Sequence, residues 1–167
     1  MIRKIIKLIL IILWMVLIFS FSNDTGSVST KKSDGFIIKM IETISGRELS
    51  ESEKEKWTTY LVIPVRKGAH LGVYLVLGIL IFSFISEFMI ISYKSILLAI
   101  GISFLYACSD EIHQLLVPGR SGQIKDVFLD TIGACIGIIS YSFVVRMLSK
   151  NEQKERVGLK YYYYIFR

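Results

Sequence analysis

Four apolar runs of membrane length dominate this chain. Residues 5–22 read IIKLILIILWMVLIFSFS, with Lys7 as their only charge. Residues 69–86, AHLGVYLVLGILIFSFIS, hold His70 as their only titratable group. Residues 95–109, SILLAIGISFLYACS, run on into Asp110, Glu111 and His113, and residues 127–145, VFLDTIGACIGIISYSFVV, carry Asp130 alone. A helix needs about 20 mostly apolar residues to cross the hydrocarbon of a bilayer, and each run approaches that length. A chain of 167 residues with 53% hydrophobic residues leaves no water-soluble partner to cover four such helices. The expected fold is therefore all-α: a polytopic membrane helix bundle with spans at about 5–22, 68–86, 95–116 and 127–147. The first run has the basic lead of a signal peptide (Arg3, Lys4, Lys7), but it is too long and no small-x-small cleavage site follows. It reads as an uncleaved span. Cys108 and Cys135 fall inside spans without CxxC spacing and read as packing residues.

Four spans put both termini on one side. Of the 20 Lys and Arg residues, ten fall on each face of that layout, so the raw count does not orient the chain. The purely basic lead of the first span does, and places the termini in the cytoplasm. Segment 23–65 then lies outside and carries one or two short interfacial helices. The first is expected to start at Ser33 and to show Phe36, Ile37, Met40, Ile41 and Ile44 on one face. The second begins at Ser50, which has capping-box spacing to Glu53, and ends at Pro64. Both either lie flat on the membrane or pack on the protein's own spans. Residues 150–167 form a basic, aromatic tail suited to an anionic inner leaflet.

The ionisable residues are not scattered. Arg66, Lys67 and His70 lead into the second span, and Asp110, Glu111, His113 and Gln114 end the third. Arg120 stands in the turn VPGRSGQIKD, and Asp126 and Asp130 open the fourth. All fall at one depth, near the outer face. Residues at i, i+3 and i+4 share a helix face. Asp110, His113 and Gln114 therefore point together, Asp126 and Asp130 pair, and Lys67, His70 and Tyr74 form a stripe. Three converging faces predict one polar pocket. Intramembrane charges cost about 2.5–3.5 kcal/mol at a helix centre and must pair or meet water. They either fix register, with Arg66 or Arg120 against Asp126 or Asp130, or do chemistry. Two histidines favour chemistry, because imidazole handles protons near neutral pH. Gly133–Gly137 and Gly68–Gly72 are GxxxG motifs that let helix backbones approach. No metal and no cofactor is expected: Glu111 and His113 are two residues apart and cannot face one ion, and HExxH is missing.

Arg66-Lys67-Gly68-Ala69-His70 with Tyr74, Asp110-Glu111-Ile112-His113-Gln114, Pro118-Gly119-Arg120, and Asp126 with Asp130 and Gly133 together resemble the VanZ-like family. The Ser-rich stretch after Phe19-Ser20-Phe21-Ser22 is similar too. The resemblance extends to about residue 147, making 1–149 one membrane domain with the tail outside it. It implies a bacterial plasma-membrane protein of the cell envelope. The family's namesake is associated with low-level resistance to the glycopeptide teicoplanin, so the resemblance supplies a context and no reaction.

The leading functional expectation is recognition or modification of an amphiphilic, lipid-linked envelope substrate at the outer leaflet. Asp110, Glu111, His113 and His70 would handle protons. Arg66, Lys67 and Arg120 would hold an anionic head group, with Tyr74, Gln114, Asp126 and Asp130 completing the binding surface. Membrane lipids and a lipid-linked envelope precursor are the expected partners; nucleic acid is not. A transporter or lipid flippase is the alternative, disfavoured because no ionisable group sits at the centre of a span. A non-catalytic membrane scaffold is the other.

Overall fold

A computed structural model describes residues 1–120 and 122–165, with side chains as far as Ser149; the expected tail at 150–167 lies outside the described side chains. The chain forms five helices: α1 (Ile2–Ser22), α2 (Gly26–Ser45), α3 (Glu51–Ile85), α4 (Tyr93–Gln114) and α5 (Ile124–Ile165). Four are long and apolar enough to cross a membrane: α1, α3, α4 and the Ile124–Ser149 part of α5. The protein is thus a multi-pass membrane helix bundle, as the four runs require.

The bundle distributes its residues as a lipid-facing protein does. Large apolar side chains point outward, among them Leu8, Ile12, Val16, Leu97, Leu105, Ile132 and Phe143. Small ones point inward. Ser95, Ala99, Ser103 and Ala107 repeat every fourth residue along α4 and are all fully buried. In lipid no hydrophobic force drives helices together, so close packing of small residues and hydrogen bonds does. Trp14 Nε1 donates to the Val73 carbonyl at 2.9 Å, and Tyr106 Oη to the Met15 carbonyl at 2.6 Å, tying α1 to α3 and α4.

Helix α3 is the hub: it packs on all four other helices, and most extensively on α5. A Cβ at Gly133 would run into the Leu71 carbonyl, one at Gly137 into the Leu75 carbonyl, and one at Gly78 into the backbone of Ala134. Gly68 and Gly72, by contrast, have nothing within 4 Å of an added Cβ, so the second GxxxG motif is no contact.

Outside the span the structure departs from expectation. Helix α2 begins at Gly26, not near Ser33, and ends on Gly46 in the left-handed region at φ 67°. Helix α3 does begin at the Ser50–Glu53 capping box, but Pro64 does not end it. The proline removes one donor from a helix of 35 residues, and burial of Tyr74, Leu77, Ile81 and Phe82 beyond it holds the continuation in place. A helix of that length is about 50 Å long, well over the hydrocarbon's ~30 Å. Glu51–Lys56, with five charges in six residues, belongs to the part in water. Helix α2 packs beside α3, burying Ile37 completely while Phe36, Met40 and Ile44 stay exposed.

At the opposite end, the turn after α3 gathers the start of α1. Arg3 Nη2 and Lys7 Nζ each lie 2.6 Å from the Glu87 carboxylate, and Lys4 sits 3.9 Å over the Phe88 ring. Hydrogen bonds from Lys7, then Arg3, pull Glu87 down to about 2. A carboxylate with an ordinary value near 4.3 and a lowered value in the fold stabilises fully above the ordinary value and loses that contribution as pH falls through the lowered one. The melting temperature of Glu87→Gln in detergent should therefore lie below that of the wild type near neutrality. The gap should close as the pH drops from about 4 toward 2; a gap that persists there would mean the ion pairs contribute nothing.

Candidate functional site

The residues expected to converge do so at the end of the bundle where α1 and α4 finish and α3 and α5 enter the membrane, though not all in the expected pairings. Helices α3 and α5 run parallel here, and the close contact at Gly133 sets their register. One turn toward the face, His70 Nδ1 lies 3.5 Å from Asp130 Oδ1; a further turn out, Lys67 Nζ lies 3.7 Å from Asp126 Oδ1. Asp110 comes in from α4. Donor atoms of His70, Asp110 and Asp130 lie within 4.8 Å of one another, and the two carboxylates are 2% and 1% exposed. Tyr74, one turn below His70 on the same stripe, is fully buried.

A second layer ties this trio to the turn before α5. Gln114 Nε2 lies 3.3 Å from both Asp110 Oδ2 and Ser22 Oγ, and Arg120 Nη1 donates to Gln114 Oε1 at 3.0 Å. The same guanidinium also donates to backbone carbonyls in the last turn of α1 and just past it, with Nη2 to Phe21 at 3.0 Å and Nε to Asp24 at 3.1 Å. Gly119 makes this possible. It takes the left-handed conformation at φ 74°, where glycine is the tolerated residue, and its carbonyl lies where a Cβ on Gly26 would be. The Pro118 carbonyl accepts the Gly26 N–H at 3.2 Å. Glu111 is buried and accepts the backbone N–H of Gln123, pinning the same turn from the α4 side.

Two expectations are thereby corrected. Neither Arg120 nor Arg66 pairs with the acidic face of α5. Lys67 and His70 do, because they stand in register with it on α3, while the carbonyls at the end of α1 claim Arg120. His113 does not face the cluster. At 100° per residue it lies about 60° to one side of Asp110, while Gln114 lies about 40° to the other. Helix α1 occupies the His113 side, and that ring stacks on Phe19 with centroids 4.2 Å apart.

Beside the trio opens a cavity of about 630 Å³. Ile18, Phe21, Phe36, Val65 and Val73 form apolar walls, and Lys32, Arg66, Arg120 and His70 supply polar groups. Arg66 makes no ion pair among the described residues. Burial, then the neighbouring Arg66 charge, pulls Arg120 below its ordinary value; Asp24, paired with Lys32, is the acid in the lining. The sequence reading missed Ser22, Asp24 and Lys32. Their signal was polar character at the same depth as the cluster, just beyond the first span. Lys32 is held by Asp24 at 2.7 Å.

A lipid-facing bundle with buried acids and basic residues gathered at one face defines a polytopic membrane protein with an interfacial polar site. The VanZ/LLP1 family signature matches residues 7–146, a stretch that contains every site residue named above, and the chain belongs to that family. No curated protein and no solved structure matches it.

Arg120 is the keystone of the second layer. Arg120→Ala should destabilise the protein by roughly 1–3 kcal/mol for each acceptor left buried without a donor, lowering membrane abundance and melting temperature. Arg120→Lys should recover only part of the loss, because one ammonium cannot reproduce a planar fork. Full recovery by lysine would show that charge alone, and not the three-way hydrogen bonding, is what matters.

Proposed function

We propose that this protein recognises or modifies an amphiphile with an anionic head group at the outer leaflet of the bacterial plasma membrane, with both termini in the cytoplasm. The observation that carries the reading is the cavity: apolar walls meet Arg66, Arg120 and Lys32 beside His70. An acyl or prenyl chain suits the walls, and a phosphate-like group suits guanidinium donors. Lys67 and Asp126 form the rim. In this reading His70 and Asp110, held by Asp130 and Gln114, move the proton. Glu111 shapes the turn, and His113 packs on Phe19 of α1. A lipid-linked envelope precursor is an amphiphile of this kind, and glycopeptide susceptibility is the phenotype through which action on it would register. The flippase alternative gains no support from the buried span interiors, which carry serines and alanines instead of charges at mid-depth.

The orientation rests on the basic lead of α1, whose Arg3 and Lys7 share an end of the bundle with Glu87. Reporter fusions after residue 45 should read as external and fusions after residue 90 as internal; the reverse pattern overturns the outer-leaflet assignment.

Ligand preference can be tested in purified protein. Native mass spectrometry of the wild type in mixed micelles should show retained anionic phospholipid in preference to a zwitterionic one of equal chain length. Arg66→Gln should reduce that preference several-fold while leaving the melting temperature within about 1 °C, since Arg66 makes no structural ion pair and isolated surface changes are small. Equal retention of both lipids by the wild type would remove the head-group argument.

A further inference from the structure

We propose that His70, Asp110 and Asp130 bind a divalent transition-metal cation, with Zn²⁺ or Mn²⁺ the best matched. Each ligand comes from a different helix, α3, α4 and α5, which is why no sequence spacing betrays the set. The expectation of no metal weighed Glu111 with His113, and those two side chains point elsewhere.

Four observations support the site. The first is proximity: one donor atom from each residue lies within 4.8 Å of the others. Ligands about 2.0–2.2 Å from a metal stand some 3–4 Å apart, so side-chain shifts of the order of an ångström close the shell. The second is unmet bonding. Asp130 is 1% exposed and Asp110 2%. Among the described residues, both Asp130 oxygens, Asp110 Oδ1, His70 Nδ1 and the Tyr74 hydroxyl have no hydrogen-bond partner. The 3.5 Å approach of His70 to Asp130 is an ion-pair distance and not a formed hydrogen bond. Buried carboxylate oxygens left in that state are strongly unfavourable unless a cation or a proton meets them.

Charge is the third observation. Of the nearby fixed cations, Lys67 is committed to Asp126 and Arg120 to Gln114 and two carbonyls, while Arg66 lines the cavity and makes no ion pair with either buried acid. One divalent ion with two carboxylates and a neutral imidazole makes a site of zero net charge, the form that suits a membrane interior. The fourth is support for the ligands. Gln114 Nε2 holds Asp110 Oδ2, leaving Oδ1 to coordinate, and Arg120 holds Gln114 in turn. Metal-binding carboxylates are oriented by such outer partners.

Donor chemistry selects the ion. A mixed imidazole and carboxylate set suits Zn²⁺ or Mn²⁺, whereas Mg²⁺ and Ca²⁺ prefer oxygen alone. Three protein ligands leave an open position, the pattern of a catalytic site and not a structural one. His70 also lines the cavity, so that position faces the space where a head-group oxygen would enter. The inference rests on the proposed function and deepens it by naming an ion for the same pocket; with that ion bound, His70 and Asp110 serve as its ligands in place of carrying the proton themselves. Binding needs protein atoms only, so it can be measured without any lipid substrate.

The test uses full-length protein in detergent, without a histidine tag, stripped with chelator and then loaded with Zn²⁺ or Mn²⁺. After gel filtration, elemental mass spectrometry should find about one ion per wild-type chain, with a higher melting temperature than the stripped form. His70→Gln and Asp130→Asn should each weaken binding at least about tenfold, and Gln114→Ala by about 10–100-fold, the usual effect of losing an outer partner. Glu87→Gln, at the far end of the bundle, should bind as the wild type does. The wild-type measurement stands even if a variant fails to accumulate. A wild type that retains far less than one ion at saturation, or an Asp130→Asn protein that retains as much, overturns the proposal. Lipid preference read on stripped protein keeps the two claims apart, since either can fail alone.

Discussion

The close parallel approach of α3 and α5 governs the site. Gly137 meets the Leu75 carbonyl and Gly133 the Leu71 carbonyl, with Gly78 pressed on the Ala134 backbone from the other side. That contact sets a register, and the register continues outward: Asp130 comes opposite His70, and Asp126 opposite Lys67. A methyl group at Gly133 or Gly137 would push the two backbones apart where no flexible side chain can yield. The acids of α5 would then lose the bases of α3. Backbone packing at mid-membrane and electrostatics at the face are one construction.

Helix α4 and the turn after it complete the enclosure. The stripe Ser95, Ala99, Ser103, Ala107 lets α4 lie close, and Asp110 continues that stripe into the polar layer. The α4–α5 turn then folds over α1, with Arg120 as the tie. A loop that supplies a guanidinium to three acceptors, on α4, in the last turn of α1 and just past it, is held by its own hydrogen bonds. Arg120 thus shapes one wall of the cavity as well as holding it closed. The cavity is lined by apolar side chains and by the basic groups Lys32, Arg66 and Arg120, and the buried acids lie beside His70. An anionic amphiphile and a divalent ion would use adjoining parts of the same space, with His70 at their boundary.

The two ends of the bundle use charge differently. At the end where α1 begins, Glu87 collects Arg3 and Lys7 in short ion pairs. This arrangement anchors the start of α1 and needs no ligand. At the other end, Asp110 and Asp130 are buried beyond reach of a lysine or arginine. There the acids meet an imidazole and an amide, His70 beside Asp130 and Gln114 on Asp110, and three of their four oxygens have no hydrogen-bond partner among the described residues.

Much of this was legible in the sequence. The four spans follow from hydrophobic length, and the Ser50–Glu53 cap from local spacing. The depth of the cluster follows from where the charges fall in each run, because membrane thickness makes position along the chain a measure of height. Azimuth is different. Whether His113 or Gln114 accompanies Asp110 turns on which flank α1 occupies. Whether Arg120 or His70 meets Asp130 turns on the glycine register between α3 and α5, and on carbonyls at the end of α1 and just past it that no side-chain pattern reveals. The continuity of α3 through Pro64 likewise depends on packing further along the helix. Along-chain periodicity and hydropathy settled which residues share a level of the membrane; only helix–helix packing decided which of them touch, because rotation and register are set by contacts between segments far apart in sequence.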